Sequence, residues 1–114
     1  MSQDGHELYV AVTRDNSVWR APLMASGDPS KVGRFATFYG PTGPDGIHLD
    51  RQGRLWVCLP GADTIWALSR RGEVLRRIRF PEGAFPTNLV LDQAEHSAYI
   101  TCSGANAIFV AEVH

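Results

Sequence analysis

Leu55-Trp56-Val57-Cys58, followed by Ile65-Trp66, recurs in two other places along this chain of 114 residues. Leu8-Tyr9-Val10-Ala11 leads to Val18-Trp19, and Ala98-Tyr99-Ile100-Thr101 leads to Ile108-Phe109, with no gap in any copy. In each, one aromatic is followed ten positions later by another: Tyr9 and Trp19, Trp56 and Trp66, Tyr99 and Phe109. Between them lies a turn built from Arg14-Asp15-Asn16, Gly61-Ala62-Asp63 or Gly104-Ala105-Asn106. Asp and Asn bond their own backbone in turns and Gly supplies positive φ, so each copy reads as a β-hairpin. The register returns after 47 and then 43 positions. That period is close to the ~40–50 residues of a four-stranded propeller blade and too long for leucine-rich or ankyrin repeats.

A second feature keeps the same phase. Gly43-Pro44-Asp45-Gly46-Ile47-His48-Leu49-Asp50 precedes the middle hairpin, and Phe85-Pro86-Thr87-Asn88-Leu89-Val90-Leu91-Asp92 precedes the last. Each places Pro and turn-type residues before a short apolar strand that ends in Asp. Outer strands are expected at Arg34–Tyr39 and Val74–Phe80. No convincing helical periodicity occurs. The fold class is therefore all-β, with about two and a half propeller blades in an incomplete ring: residues 1–42 an incomplete blade, 43–84 a full one and 85–114 another incomplete one. Propeller blades are protected by packing on two neighbours. An unclosed set is expected to expose apolar faces and strand edges, and so to self-associate.

Composition narrows the partners. Eleven basic residues nearly balance twelve acidic ones, which argues against nucleic acid or an anionic membrane, since both select basic surfaces. The start Met-Ser-Gln-Asp-Gly-His-Glu is polar and acidic, unlike a signal or transit peptide. No apolar run approaches the roughly 20 residues of a membrane-spanning helix. Cys58 and Cys102 lie in strand-like runs without metal spacing, so both are expected as buried, reduced thiols in a cytoplasmic setting. His6, His48, His96 and His114 are scattered.

The stretch from Pro44-Asp45-Gly46 through Asp50, Gly53 and Leu55-Trp56-Val57 resembles a signature of the regucalcin/gluconolactonase family, also called the senescence marker protein, gluconolactonase and luciferin-regenerating enzyme family. Asn16-Ser17-Val18-Trp19-Arg20 and the run Pro81-Glu82-Gly83-Ala84-Phe85-Pro86-Thr87-Asn88 extend the likeness over Leu8 to about Val110. The resemblance implies a six-bladed propeller holding one divalent cation, usually calcium, at its channel mouth, and hydrolysis of sugar lactones or similar cyclic esters. Calcium takes hard oxygen ligands, and the ion would polarise the lactone carbonyl. By the same resemblance Asp45 is both the metal ligand and the candidate catalytic residue. The family's Glu and Asn ligands find no counterpart here, so this chain is expected to be the C-terminal portion, inactive by itself.

Each candidate has a plainer alternative. Asp45 between Pro44 and Gly46 is also a common β-turn composition. Asn88, one residue beyond Thr87 (the counterpart of Asp45), is the candidate substrate-binding residue. His48 is a general base or a packing residue, and Trp19, Trp56 and Trp66 are expected between blades. Ser103 lacks a GxSxG elbow. Arg70, Arg71, Arg76, Arg77 and Arg79 read as edge-strand protection. Two other functions stay open: a non-catalytic remnant or interaction module, and a strictosidine-synthase-like or NHL-type propeller.

Overall fold

A computed structural model describes residues 1–40 and 43–113; the expected boundary after residue 42 and His114 lie outside the described residues. The chain forms three consecutive antiparallel sheets. The first blade contains β1 (Glu7–Val12), β2 (Ser17–Pro22) and β3 (Gly33–Thr37). The middle blade contains β4 (Ile47–Leu49), β5 (Leu55–Leu59), β6 (Thr64–Leu68) and β7 (Val74–Arg79). The last blade contains β8 (Pro86–Leu91), β9 (Ser97–Cys102) and β10 (Ala107–Glu112). These are propeller blades in chain order, all-β as expected, and the described strands do not close a ring.

The hairpin register follows the sequence repeat. Val10 pairs with Trp19, Val57 with Trp66 and Ile100 with Phe109. The turns depart from expectation in one respect. Thr13–Asp15 and Pro60–Ala62 each make one turn of 3-10 helix, closed by Asn16 at φ 58° and Asp63 at φ 49°. Asn106, at φ 51°, takes the same place in the third hairpin. The left-handed residue is thus Asn or Asp every time, types whose short polar side chain tolerates that conformation, while Gly61 and Gly104 keep ordinary φ. Glycine is needed at Gly104 for space instead: a Cβ there would run into the Gly83 carbonyl.

Side chains alternate across a strand, so a blade buried on both sides carries apolar residues at successive positions. The middle blade shows this. Leu55, Val57, Leu59 and Leu68 pack against Tyr9, Val18 and Phe38 of the first blade. On its other face Trp56, Cys58, Ile65 and Ala67 meet Leu89, Ala98, Ile100 and Cys102 of the last. An aromatic pair crosses each interface: Phe38 on Trp66 and Phe80 on Phe109, both with centroids 5.6 Å apart. Trp19 departs from expectation. It lies on the outer face of the first blade, half-buried under the Arg34 guanidinium at 5.1 Å, because no described blade stands on that side.

The turn between β4 and β5 explains the spacing Asp50…Gly53…Trp56. The Asp50 carboxylate, 2% exposed, accepts hydrogen bonds from Gln52 N (2.9 Å), Arg54 N (2.9 Å), Arg54 Nε (2.6 Å) and Trp56 Nε1 (3.0 Å). Gly53 supplies the φ of 82° that lets the chain turn round it. One carboxylate thereby fixes the inner hairpin and aims the Trp56 ring at the last blade.

Candidate functional site

The loop entering β4 is clamped by all three blades. From the first blade, Thr13 Oγ1 donates to the Pro44 carbonyl at 2.8 Å. From the middle blade, Asp45 N donates to Cys58 O and Cys58 N donates to Gly46 O, both at 3.0 Å. From the last blade, Thr87 O accepts Gly46 N at 2.8 Å. Pro44 is fully buried, and the Asp45 side chain that follows it is exposed. Gly46 is required here because a Cβ would overlap the Asn88 side chain and come within 2.7 Å of its Cα.

Asp45 and Asn88 are therefore brought to the same end of adjoining inner strands, with Gly46 as the point of contact. The Asp45 carboxylate accepts no hydrogen bond among the described residues. Asn88 is also exposed, and its Oδ1 accepts the N–H of Leu89 at 2.9 Å. Thr87 Oγ1 shares a hydrogen bond with Thr101 Oγ1 at 2.9 Å. A hollow beside this pair is lined by Thr87, Thr101, Ser103 and Asn106. Another hollow, of about 240 Å3, lies apart among Glu7, Tyr9, Asp50 and Arg70 and touches neither candidate.

The neighbouring titratable groups are quiet. Burial pushes the Cys58 thiol up to about 12, reinforced by the charge of Asp45 and by Cys102. Burial also raises Cys102, helped by Asp63; both are free, buried thiols. His48 lies on β4 opposite Trp56. Its burial lowers its pKa against the opposing pull of Glu95 and Asp50, which favours the neutral imidazole. That environment describes a packed imidazole beside the last blade.

A calcium ion wants roughly six to eight oxygen ligands. The loop offers one free carboxylate and one amide whose oxygen already serves the Leu89 N–H. Among the described residues no three His, Cys, Asp or Glu side chains gather. These residues do not make a calcium site by themselves. The Asp50 carboxylate, which sequence reasoning passed over, is spent on its own turn; its signal was the Asp–Arg–Trp spacing within one hairpin. No described helix is long and apolar enough to cross a membrane.

Comparison with known proteins agrees with this geometry. No curated protein sequence matches the chain. Among solved structures, a gluconolactonase from Xanthomonas campestris is 24% identical with a TM-score of 0.84, over 100% of this chain and 36% of that one. The calcium-binding protein regucalcin from Agrobacterium tumefaciens is 26% identical with a TM-score of 0.77, over 88% of this chain and 35% of that one. A periplasmic gluconolactonase from Pseudomonas aeruginosa is 20% identical with a TM-score of 0.80, over 100% and 37%. The chain thus spans little more than a third of the length of these proteins. A sequence model of the SMP-30/gluconolactonase/LRE-like region matches residues 1–104, and with the blade order and the Pro44-Asp45-Gly46 loop in place the conclusion is direct: the chain belongs to the SMP-30/gluconolactonase/LRE-like family.

Proposed function

We propose that this chain supplies part of the site of a divalent-metal-dependent hydrolase acting on sugar lactones or similar cyclic esters, with Asp45 as a metal ligand and Asn88 beside the substrate. The observation that carries the reading is the loop from Pro44 to Gly46. Three blades hold its backbone, and the carboxylate they present accepts no hydrogen bond among the described residues. A turn residue kept only for conformation needs no such anchoring. Family membership supports the reaction class, and the regucalcin likeness supports a divalent cation. The remaining ligands must come from other blades, so the chain alone is expected to bind calcium weakly and to hydrolyse no lactone.

The test uses a complete propeller carrying this chain, with calorimetric calcium titration beside a lactone-hydrolysis assay. Asp45→Ala is expected to abolish both. Asp45→Asn, which keeps one oxygen ligand but loses its charge, should weaken binding less. Full metal affinity and full rate in Asp45→Ala would reduce Asp45 to a turn residue. A non-catalytic blade module is the second reading, favoured by the Asn88 oxygen being occupied by its neighbour's N–H. Asp45→Ala with unchanged behaviour would favour it.

A further inference from the structure

The two outward faces of the chain are copies, position by position, of faces that pack together inside it. On the last blade Tyr99, Thr101, Ile108 and Val110 stand where the middle blade has Trp56, Cys58, Ile65 and Ala67, the face that docks on a following blade. On the first blade Leu8, Val10 and Trp19 stand where the middle blade has Leu55, Val57 and Trp66, the face that docks on a preceding blade. Even the cation–π stack repeats, with Arg77 over Trp66 at 4.5 Å and Arg34 over Trp19 at 5.1 Å. Identical residues differ only in cover. Ile108 is 67% exposed against 1% for Ile65. Val10 is 45% exposed against 0% for Val57. Contiguous apolar surface of this kind marks a docking site.

We propose that these faces are covered by a second copy of this chain, joined head to tail: the Tyr99–Val110 face of one copy packs on the Val10–Trp19 face of the other, at both junctions of a closed two-chain ring. The register supplies complementarity, since each end presents the surface its partner's inner blades already accept. The shape supplies closure. The chain measures 42 × 33 × 22 Å, about half as deep as it is long, so a second copy across the cut restores a round body. A head-to-tail contact that closes gives a ring, and one that does not close gives an open filament. The proposal does not rest on Asp45 or Asn88, which neither face includes; in a complete propeller carrying this chain the same two faces would pack on the other blades instead.

Sedimentation velocity on the full chain is expected to show a species of twice the chain mass that dissociates on dilution. Val110→Glu and Val10→Glu alter exposed positions on opposite faces, and circular dichroism checks that each still folds. Each variant alone should run as a monomer, because every junction needs both faces. Mixed in equal amounts they should recover dimer in part, since one junction between unaltered faces remains. A second readout needs no charged variant: Trp19 emission should shift to the blue with concentration, and that shift should vanish in Trp19→Phe. A chain that stays monomeric at high micromolar concentration, one of these variants dimerising unaided, or growth into open-ended chains would each overturn the closed head-to-tail ring.

Discussion

Ile65 and Ile108 are the same residue at the same place in successive blades, yet one is sealed and the other open to water. Trp56 and Tyr99, at equivalent positions, show the same contrast in cover, and Asp50 at the end of its inner strand is buried where Asp92 is half-buried. Strand pairing is equivalent in the two blades, with five registered pairs between β5 and β6 and six between β9 and β10. Backbone hydrogen bonding therefore does not distinguish them. What differs is the number of neighbouring sheets among the described residues, two for the middle blade and one for the last, so the same hairpin is core in one setting and surface in the other. The middle blade should act as the keystone of stability and the last blade as a tolerant flank.

The largest expected effect tests that contrast directly. Trp56→Ala removes a buried indole and the partner of Asp50, and should cost about 3–5 kcal/mol. Tyr99→Ala, at a solvent-facing position, should cost less than about 1 kcal/mol in the monomer. Urea denaturation at concentrations where the chain is monomeric measures both, and comparable losses would break the comparison.

The two aspartates should differ next. Asp50→Ala leaves the buried Trp56 N–H without its acceptor and the part-exposed Arg54 guanidinium without its partner, a loss of about 2–3 kcal/mol by the cost of an unsatisfied buried group. Among the described residues the Asp92 carboxylate accepts the backbone N–H groups of His96 and Ser97, at 2.8 and 3.1 Å, near the surface. Asp92→Ala should cost about 1 kcal/mol, the usual worth of such bonds. Equal losses in the same urea experiment would mean that the Asp50 network adds nothing beyond turn geometry.

The smallest effect is the acid response. Burial would raise the Asp50 pKa, but hydrogen bonds from Trp56 and Arg54, with the charge of Arg54, outweigh it and hold the carboxyl below its usual range. A folded-state pKa below the unfolded value means stability that is present above about pH 4. It is lost as pH falls through the lower folded value. The wild-type chain should thus lose stability on acidification below about pH 4, and Asp50→Ala should lose less over the same interval. Thermal melts across that range measure the difference, and parallel curves would remove Asp50 from the acid response.

Much of the blade pattern was legible because hairpins announce themselves locally. Aromatics ten residues apart with a polar turn between them specify two paired strands, and β1–β2, β5–β6 and β9–β10 follow in the expected register. The outer strands were legible to within two residues: β3 ends at Thr37, leaving Phe38 buried and Tyr39 exposed beyond it, and β7 ends at Arg79. The turn chemistry was read for the right residue types but the wrong member, since Asn16, Asp63 and Asn106 carry the positive φ. Trp19 was misplaced because its pattern is that of Trp66, and pattern does not reveal which side of a sheet has a neighbour.

The sequence by itself determined the strands, their repeat, the all-β class and the loop that presents Asp45, because these depend on residues close along the chain. Only the tertiary structure decided that Thr13, Cys58 and Thr87 from three blades clamp that loop, that Gly46 makes room for Asn88, and that Asp50 rather than Asp45 is the buried acid. The Thr13 and Thr87 contacts and the fit of Gly46 against Asn88 depend on the packing of one sheet against the next. Residues some 30 to 40 positions apart meet there, and the two-residue alternation of a strand encodes a face but not what will lie against it.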